Sequence, residues 1–103
     1  NPYYGTNGGN NTSDKVFLLS ASDIKYFPES RDVITYASEY SKSKGIYVSN
    51  NSNSCWWIRM PGSNGKTAAY VDNNGDIEYM GDVVTSSGYG VRPAIWVKID
   101  PTK

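Results

Sequence analysis

The sequence predicts an α+β domain in which two short helices precede a small twisted antiparallel sheet. Eight Val and seven Ile stand against two Leu, an imbalance that favours strands over helices. Apolar spacing is partly helical up to Gly45 and alternates with period two beyond it. Two aromatic-rich segments, CWWIRMPG at 55–62 and GVRPAIWV at 90–97, hold all three tryptophans and two of the three arginines. At 103 residues the chain makes one domain large enough to bury a core without staples.

Residues 1–14 are polar and rich in Gly and Asn, and read as an exposed arm or linker, leaving 15–103 as the single α+β domain. The run KVFLLS at 15–20 reads as a buried strand. Ser20-Ala21-Ser22-Asp23 has capping-box spacing with Asp in place of Glu, and opens a helix over 21–27 with Ile24 and Phe27 on one face. Pro28 stops it. The second helix is expected over 34–43, with Thr35 as N-cap, Lys42 and Lys44 at the negative end of its dipole, and Gly45 as the stop. A brief extended segment at 46–48 and an anchorless polar loop at 49–54 follow. The strand at 55–60 ends at Pro61-Gly62. Strands at 67–71 and 76–80 are joined by Asp72-Asn73-Asn74-Gly75, a hairpin signal because Asn-Gly readily takes positive φ. Gly81-Asp82 reads as a further turn. The loop SSGYG at 86–90 leads to a last strand over 91–99. The sheet is expected to contain 55–60, 67–71, 76–80 and 91–98.

Successive strand side chains point to opposite faces. In 55–60, Trp56, Ile58 and Met60 make an apolar face, and Cys55, Trp57 and Arg59 make the other. In 91–99, Val91, Pro93, Ile95, Val97 and Ile99 are expected to face the core, with Arg92, Ala94, Trp96 and Lys98 opposite. If the two strands are neighbours, Trp57, Arg59, Arg92 and Trp96 form one cluster beside Tyr89. These five residues are the candidate ligand-binding set. Such a cluster is also an ordinary way to cover a sheet face, since an arginine stacked on tryptophan contributes ~0.5–2 kcal/mol. As a binding surface it joins an aromatic platform to charged donors, which suits a sugar ring, an acidic peptide or a carboxylate. Arg92 precedes Pro93 and is therefore extended. It is expected to be partly buried and to hold loop carbonyls or a carboxylate with its planar fork, fixing Tyr89 and neighbouring loops rather than meeting the ligand.

Ten basic residues balance ten acidic ones with no basic stripe, which removes the electrostatic footprint of nucleic-acid binding. No apolar run approaches the ~20 residues of a membrane span, so membrane insertion by this chain is not expected. One cysteine and no histidine leave no intramolecular disulfide, no zinc ligand set and no Cys–His or Ser–His pair. No catalytic residue, metal or cofactor is therefore expected, and Cys55 reads as a small buried hydrophobe. Asp72-Asn73-Asn74-Gly75-Asp76 only loosely resembles a calcium loop: its Gly is misplaced and no bidentate Glu follows. Asp72, Asp76, Glu78 and Asp82 keep a carboxylate-dependent, glycan-active enzyme as an alternative, although they fall on turns and polar strand faces where solvated charges ordinarily sit.

The segments VFLLS at 16–20, Thr35-Tyr36-Ala37, CWWIRMPG at 55–62, Ala69-Tyr70-Val71, Gly75 and GVRPAIWV at 90–97 together resemble a family of bacterial domains of unknown function. Its members typically read V/I-F-L-L-S, T-x-Y-A, W-W-L-R-S-P-G and G-V-R-P-A-L-W in this order. Here Met60 stands for the usual Ser, and Ile58 and Ile95 for Leu. The resemblance implies a domain of secreted or surface proteins of Gram-positive, mainly anaerobic bacteria, placed outside the cell or on its surface. Family members also carry an N-terminal W-S-x-S-x-L-R-x-W-L-N type segment. Its absence here implies either the C-terminal part of a larger family domain or a missing half supplied otherwise, with apolar surface left uncovered and self-association as a consequence. More distantly, the two Trp/Arg strands resemble the C-type-lectin-like fold of the formylglycine-generating-enzyme and sulfatase-modifying group. The enzymes of that group use two cysteines, so activity does not carry over to a chain with only Cys55. The expectation is a non-catalytic recognition module for a glycan or protein ligand, with a structural spacer domain as the alternative.

Overall fold

Alternation in the CWWIRMPG segment does what its pattern predicts: Trp56 and Ile58 point into the core, 1% and 2% exposed. The computed structural model describes residues 1–10, 12–50 and 52–98. In chain order its elements are β1 (Phe17–Leu18), α1 (Ala21–Ile24), a 3-10 turn (Ser30–Asp32), β2 (Thr35–Tyr36), α2 (Glu39–Ser43), β3 (Asn53–Ser54), β4 (Trp56–Pro61), β5 (Thr67–Val71), β6 (Ile77–Val83) and β7 (Pro93–Ala94). The class is α+β. Strands β4-β5-β6 form a three-stranded antiparallel sheet, and β1–β7 and β2–β3 form two antiparallel ribbons. Among the described residues no helix is long and apolar enough to cross a membrane.

The core joins Ile24 and Val33 to Trp56, Ile58, Ala69 and Val71, with Leu19, Ala21, Phe27, Met60 and Ile77 packed around it. The Trp56 indole N–H donates to the Val33 carbonyl at 3.1 Å, so the largest buried ring leaves no donor unpaired. Helix α1 starts with the expected capping box. The Asp23 N–H donates to Ser20 Oγ at 3.1 Å, and the Ser20 N–H donates to Asp23 Oδ2 at 3.0 Å. Its α-helical part is a single turn, although turn bonds carry the chain on so that Phe27 still packs on the core.

The 15–20 run is strand only at Phe17–Leu18 and is not the buried strand expected, with Val16 61% exposed. Three further expectations are corrected. The second helix begins at Glu39, not near 34, because Ser38 is its N-cap and accepts from the Ser41 N–H at 3.1 Å. Thr35 instead pairs with Ser54 across β2–β3, so the 49–54 stretch supplies a strand and buries Ser54. Gly45, at φ +87°, ends α2 as expected. Secondly, the chain does not turn at Gly81-Asp82; β6 runs through to Val83. Gly81, at φ +76°, takes up an irregularity in the β5–β6 register, and a Cβ there would run into the Ala68 carbonyl. The positive φ bends the strand as a bulge instead of reversing it.

The third correction concerns the last strand. It does not join the sheet: only Pro93–Ala94 is strand, paired with Leu18 and Phe17. Its phase is also inverted. Val91, Ile95 and Val97 are 66%, 62% and 69% exposed and Pro93 is exposed, whereas Arg92 and Ala94 are half-buried. Ile99 lies outside the described residues. The cause is the side chain that Trp56 receives. The Arg92 guanidinium lies 4.9 Å from the Trp56 ring and 5.3 Å from Phe27, and donates to the carbonyls of Asp32 at 3.1 Å and Val33 at 3.4 Å. The edge of β4 is meanwhile taken by Gly90, which bonds Cys55 and Trp57, and by Leu19, whose carbonyl accepts from the Arg59 N–H at 2.8 Å.

The polar arm is tied to the body at its start. Asn1 Nδ2 donates to the carbonyls of Pro61 and Tyr79, both at 2.8 Å, and Thr6 Oγ1 donates to Gly62 O at 2.7 Å. Tyr3 sets its ring edge-on to Tyr79 with most of its surface in solvent.

Candidate functional site: a two-part cleft

The five candidate residues fall in three places. A single Trp57–Arg59–Arg92–Trp96 cluster does not form, because the 91–98 segment pairs with β1 and not beside β4. Arg92 lies against Trp56 and Phe27 and holds the 32–33 backbone, a supporting position, but Tyr89 is held by Trp57, Tyr70 and Asp82 and not by Arg92 as expected. Arg59 and Trp96 come together at β1. Trp57 and Tyr89 meet on the outer face of the sheet.

The Arg59–Trp96 site is a cleft with a polar and an apolar half. Phe17 is its floor, 6.0 Å from Trp96 between ring centroids and 5.9 Å below the Arg59 guanidinium. Trp96 is 82% exposed. The polar half, about 280 Å³, adds Thr12, Ser13, Asp14 and Arg59 to the shared residues Phe17, Asp23 and Trp96. The apolar half, about 300 Å³, adds Leu19, Tyr26, Phe27, Ala94 and Ile95 to the same three. Asp14 Oδ2 accepts from Thr12 Oγ1 at 2.6 Å, and Arg59 Nη2 lies 3.5 Å from Asp23 Oδ2. The Ser20 backbone N–H, followed by its hydroxyl and the Arg59 charge, holds the Asp23 carboxyl below the ordinary carboxylate range against an opposing push from burial. Together the halves have the size and mix of surfaces of a small-molecule site. Aromatic faces accept a flat apolar ligand face, carboxylates accept from hydroxyl or amide groups, and the guanidinium donates.

On the sheet's outer face, Trp57 and Tyr70 are cross-strand partners, and Tyr89 stacks on both with centroids at 4.4 and 4.5 Å. The Tyr89 hydroxyl donates to Asp82 Oδ2 at 2.7 Å. Burial first, and then this bond, push the Tyr89 phenol far above its ordinary value, while the same bond lowers Asp82. The stack clamps the 86–90 loop to the sheet. Cys55 lines a cavity of about 310 Å³ beside it, with Tyr47 and Asp82. Burial raises the Cys55 thiol, which favours its protonated form, in keeping with a small hydrophobe.

The other acids serve the hairpin. Asp72 Oδ1 accepts from the N–H groups of Asn74 and Asp76 at 2.8 and 3.0 Å, with Gly75 at φ +89°. Glu78 is raised by burial and then by its neighbour Asp72. Among the described residues no group of three His, Cys, Asp or Glu is placed to hold a metal ion.

Sequence reasoning missed Phe17, Asp23 and Tyr26 as cleft residues and Tyr70 as a member of the stack. Tyr70 was readable, since Ala69 and Val71 face inward and the residue between them must face out beside Trp57. For Phe17 and Asp23 no local signal existed; their place depends on β1 meeting a segment from the far end of the sequence.

A family profile described as "Domain of unknown function (DUF6273)" matches residues 1–99. No curated protein and no solved structure matches the chain.

Proposed function

The chain belongs to the DUF6273 family, and on that premise we propose that it is a non-catalytic recognition module that binds glycan through the Arg59–Trp96 cleft. The observation that carries this is Trp96, exposed over most of its surface at the mouth of a cleft that also presents Asp23 and Arg59. A domain that only spaces others has reason to bury its tryptophans. Trp56 meets that description and Trp96 does not. Leaving a large indole in water forgoes burial worth ~1.5–3 kcal/mol, which a ligand stacked on it regains.

The reading includes an extracellular or cell-surface setting in a bacterial protein and a C-type-lectin-like arrangement. Their support is the order of motifs across 15–99 and a small antiparallel sheet flanked by long loops. A protein ligand, a spacer role and a carboxylate-dependent enzyme are the competing readings. Of Asp72, Asp76, Glu78 and Asp82, the first three gather about the hairpin turn, and Asp82 is bonded to Tyr89.

The test is an array of glycans and peptidoglycan fragments probed with the chain and with Trp96→Ala. The expected result is retention of a defined glycan class, weakened at least tenfold by Trp96→Ala at unchanged melting temperature, since an exposed side chain holds little of the core. A blank array, or equal binding by the variant, overturns the proposal.

A further inference from the structure

We infer that the cleft takes an uncharged sugar bearing an N-acyl group, with the acyl methyl in the apolar half and the ring hydroxyls in the polar half. This rests on the glycan reading of the same site and names its ligand class.

Charge is the first argument. The polar half presents two carboxylates, Asp14 and Asp23, against the single guanidinium of Arg59. That guanidinium already faces Asp23 at 3.5 Å. An anionic sugar would enter a lining whose formal charge is −1, from one Arg and two Asp, and Arg59 would have to leave a carboxylate to meet it. Asp23 stays ionised at neutral pH because its bonds hold its carboxyl low. Uronic acids and other anionic sugars are therefore disfavoured.

The apolar half is the second argument. Leu19, Tyr26, Phe27 and Ile95 offer no acceptor or donor beyond the Tyr26 hydroxyl. A plain hexose carries hydroxyls around its ring, and a ring seated there buries them without partners. An acetamido methyl has no such cost. Asp23 lines both halves and so stands at the junction where the amide of such a group lies. Among the described residues, the hydrogen bonds to its carboxylate fall on Oδ2, which leaves Oδ1 for the amide N–H. Trp96 and Phe17 also line both halves, so one pyranose face can rest on them while substituents reach each side.

The experiment titrates the chain, by calorimetry at neutral pH, with four oligosaccharides of equal length: N-acetylglucosamine oligomer, its de-N-acetylated cationic form, cello-oligosaccharide and oligogalacturonate. The expected order places the N-acetylated oligomer about tenfold or more above the cello-oligosaccharide, the scale of one buried methyl with one amide hydrogen bond, and the galacturonate last. Ile95→Ser, a change at an exposed position, is expected to cut the N-acetyl preference to below about threefold. Equal affinity for the N-acetylated and cello oligomers overturns the acyl seat while leaving glycan binding intact. Tighter binding of the cationic form shows that charge alone governs, and tighter binding of galacturonate overturns the charge argument; both sink the inference and leave the glycan reading standing. If none of the four binds and the array is also blank, the glycan reading itself falls and this inference falls with it.

Discussion

Replacing Arg92 with alanine removes two hydrogen bonds and two ring contacts at once. The Asp32 carbonyl loses its bond at 3.1 Å, and Val33 loses the longer one at 3.4 Å. These losses are unequal. Val33 O keeps the Trp56 indole N–H at 3.1 Å, so it is not left unpaired. Asp32 is exposed, and water replaces the guanidinium there at modest cost. The larger loss is the cover over Trp56 and Phe27, at 4.9 and 5.3 Å, each contact contributing ~0.5–2 kcal/mol. Together these give a destabilisation of about 2 kcal/mol. For a domain of this size that lowers the melting temperature by about 8–16 °C. Thermal and urea unfolding of the parent, Arg92→Ala and Arg92→Lys measure it. Lysine is expected to recover little, because a point charge cannot reach both carbonyls and lie flat on two rings. A melting temperature for Arg92→Ala within about 2 °C of the parent refutes the supporting role, and loss of ligand binding in that variant would move Arg92 into the contact surface.

Asp23 gives the domain an acid-sensitive component. Its folded-state carboxyl is held below the ordinary value, so the stability it contributes is complete above that value and is lost as pH falls through the folded one. Asp23→Asn, which removes the charge near Ser20 and Arg59, is expected to cost about 0.5–1 kcal/mol at neutral pH, a cost that shrinks as pH falls below the ordinary carboxylate range, measured as urea midpoints. A difference that is constant with pH would free Asp23 of this role. The second expectation is self-association. Val16, Val91, Ile95 and Val97 are all exposed on the strand segments that form the β1–β7 ribbon or flank it, an apolar rim that copies of the chain can cover for one another. Sedimentation is expected to show a mass that falls on dilution, and a dilution-independent monomer would count against it.

What the sequence revealed was mostly what neighbouring residues decide between themselves. Ser20 and Asp23 form their box within one turn, and Gly75 turns a hairpin whose bonds span a few residues. The core face of 56–60 was legible because Trp56, Ile58 and Met60 are all apolar, whereas Trp57 shares its face with the charged Arg59. The 91–98 segment was not. Period-two alternation defines two faces without saying which one is inner, and Val91, Ile95 and Val97 looked the better choice. The decision came from afar, from the ring of Trp56 and the carbonyls at 32–33, which Arg92 covers and bonds. Thr35 shows the same limit. Its hydroxyl suits an N-cap, but Ser38 offers the same chemistry, and the partner strand at 53–54 lies well beyond the local window. For the site, Arg59 and Trp96 were legible as residue types. Their companions Phe17 and Asp23 could be assigned only once the ribbon was known.

If the cleft binds as proposed, that ribbon ties binding to a folding equilibrium. Apart from Arg59 on β4, the walls of the cleft come from 12–27 and 94–96, and the strands that join these two segments pair only Phe17 with Ala94 and Leu18 with Pro93. So short a ladder is expected to open locally at lower free energy than the β4-β5-β6 sheet unfolds. In the opened state Trp96 leaves Phe17 and the site ceases to exist. Apparent affinity is then the intrinsic affinity scaled by the fraction of molecules with the ribbon closed. By the same linkage, a ligand protects the two ends of the sequence from opening while leaving β4-β5-β6 as it was. Occupancy would therefore be written in the amide exchange of the β1–β7 ribbon, far more than in that of the core.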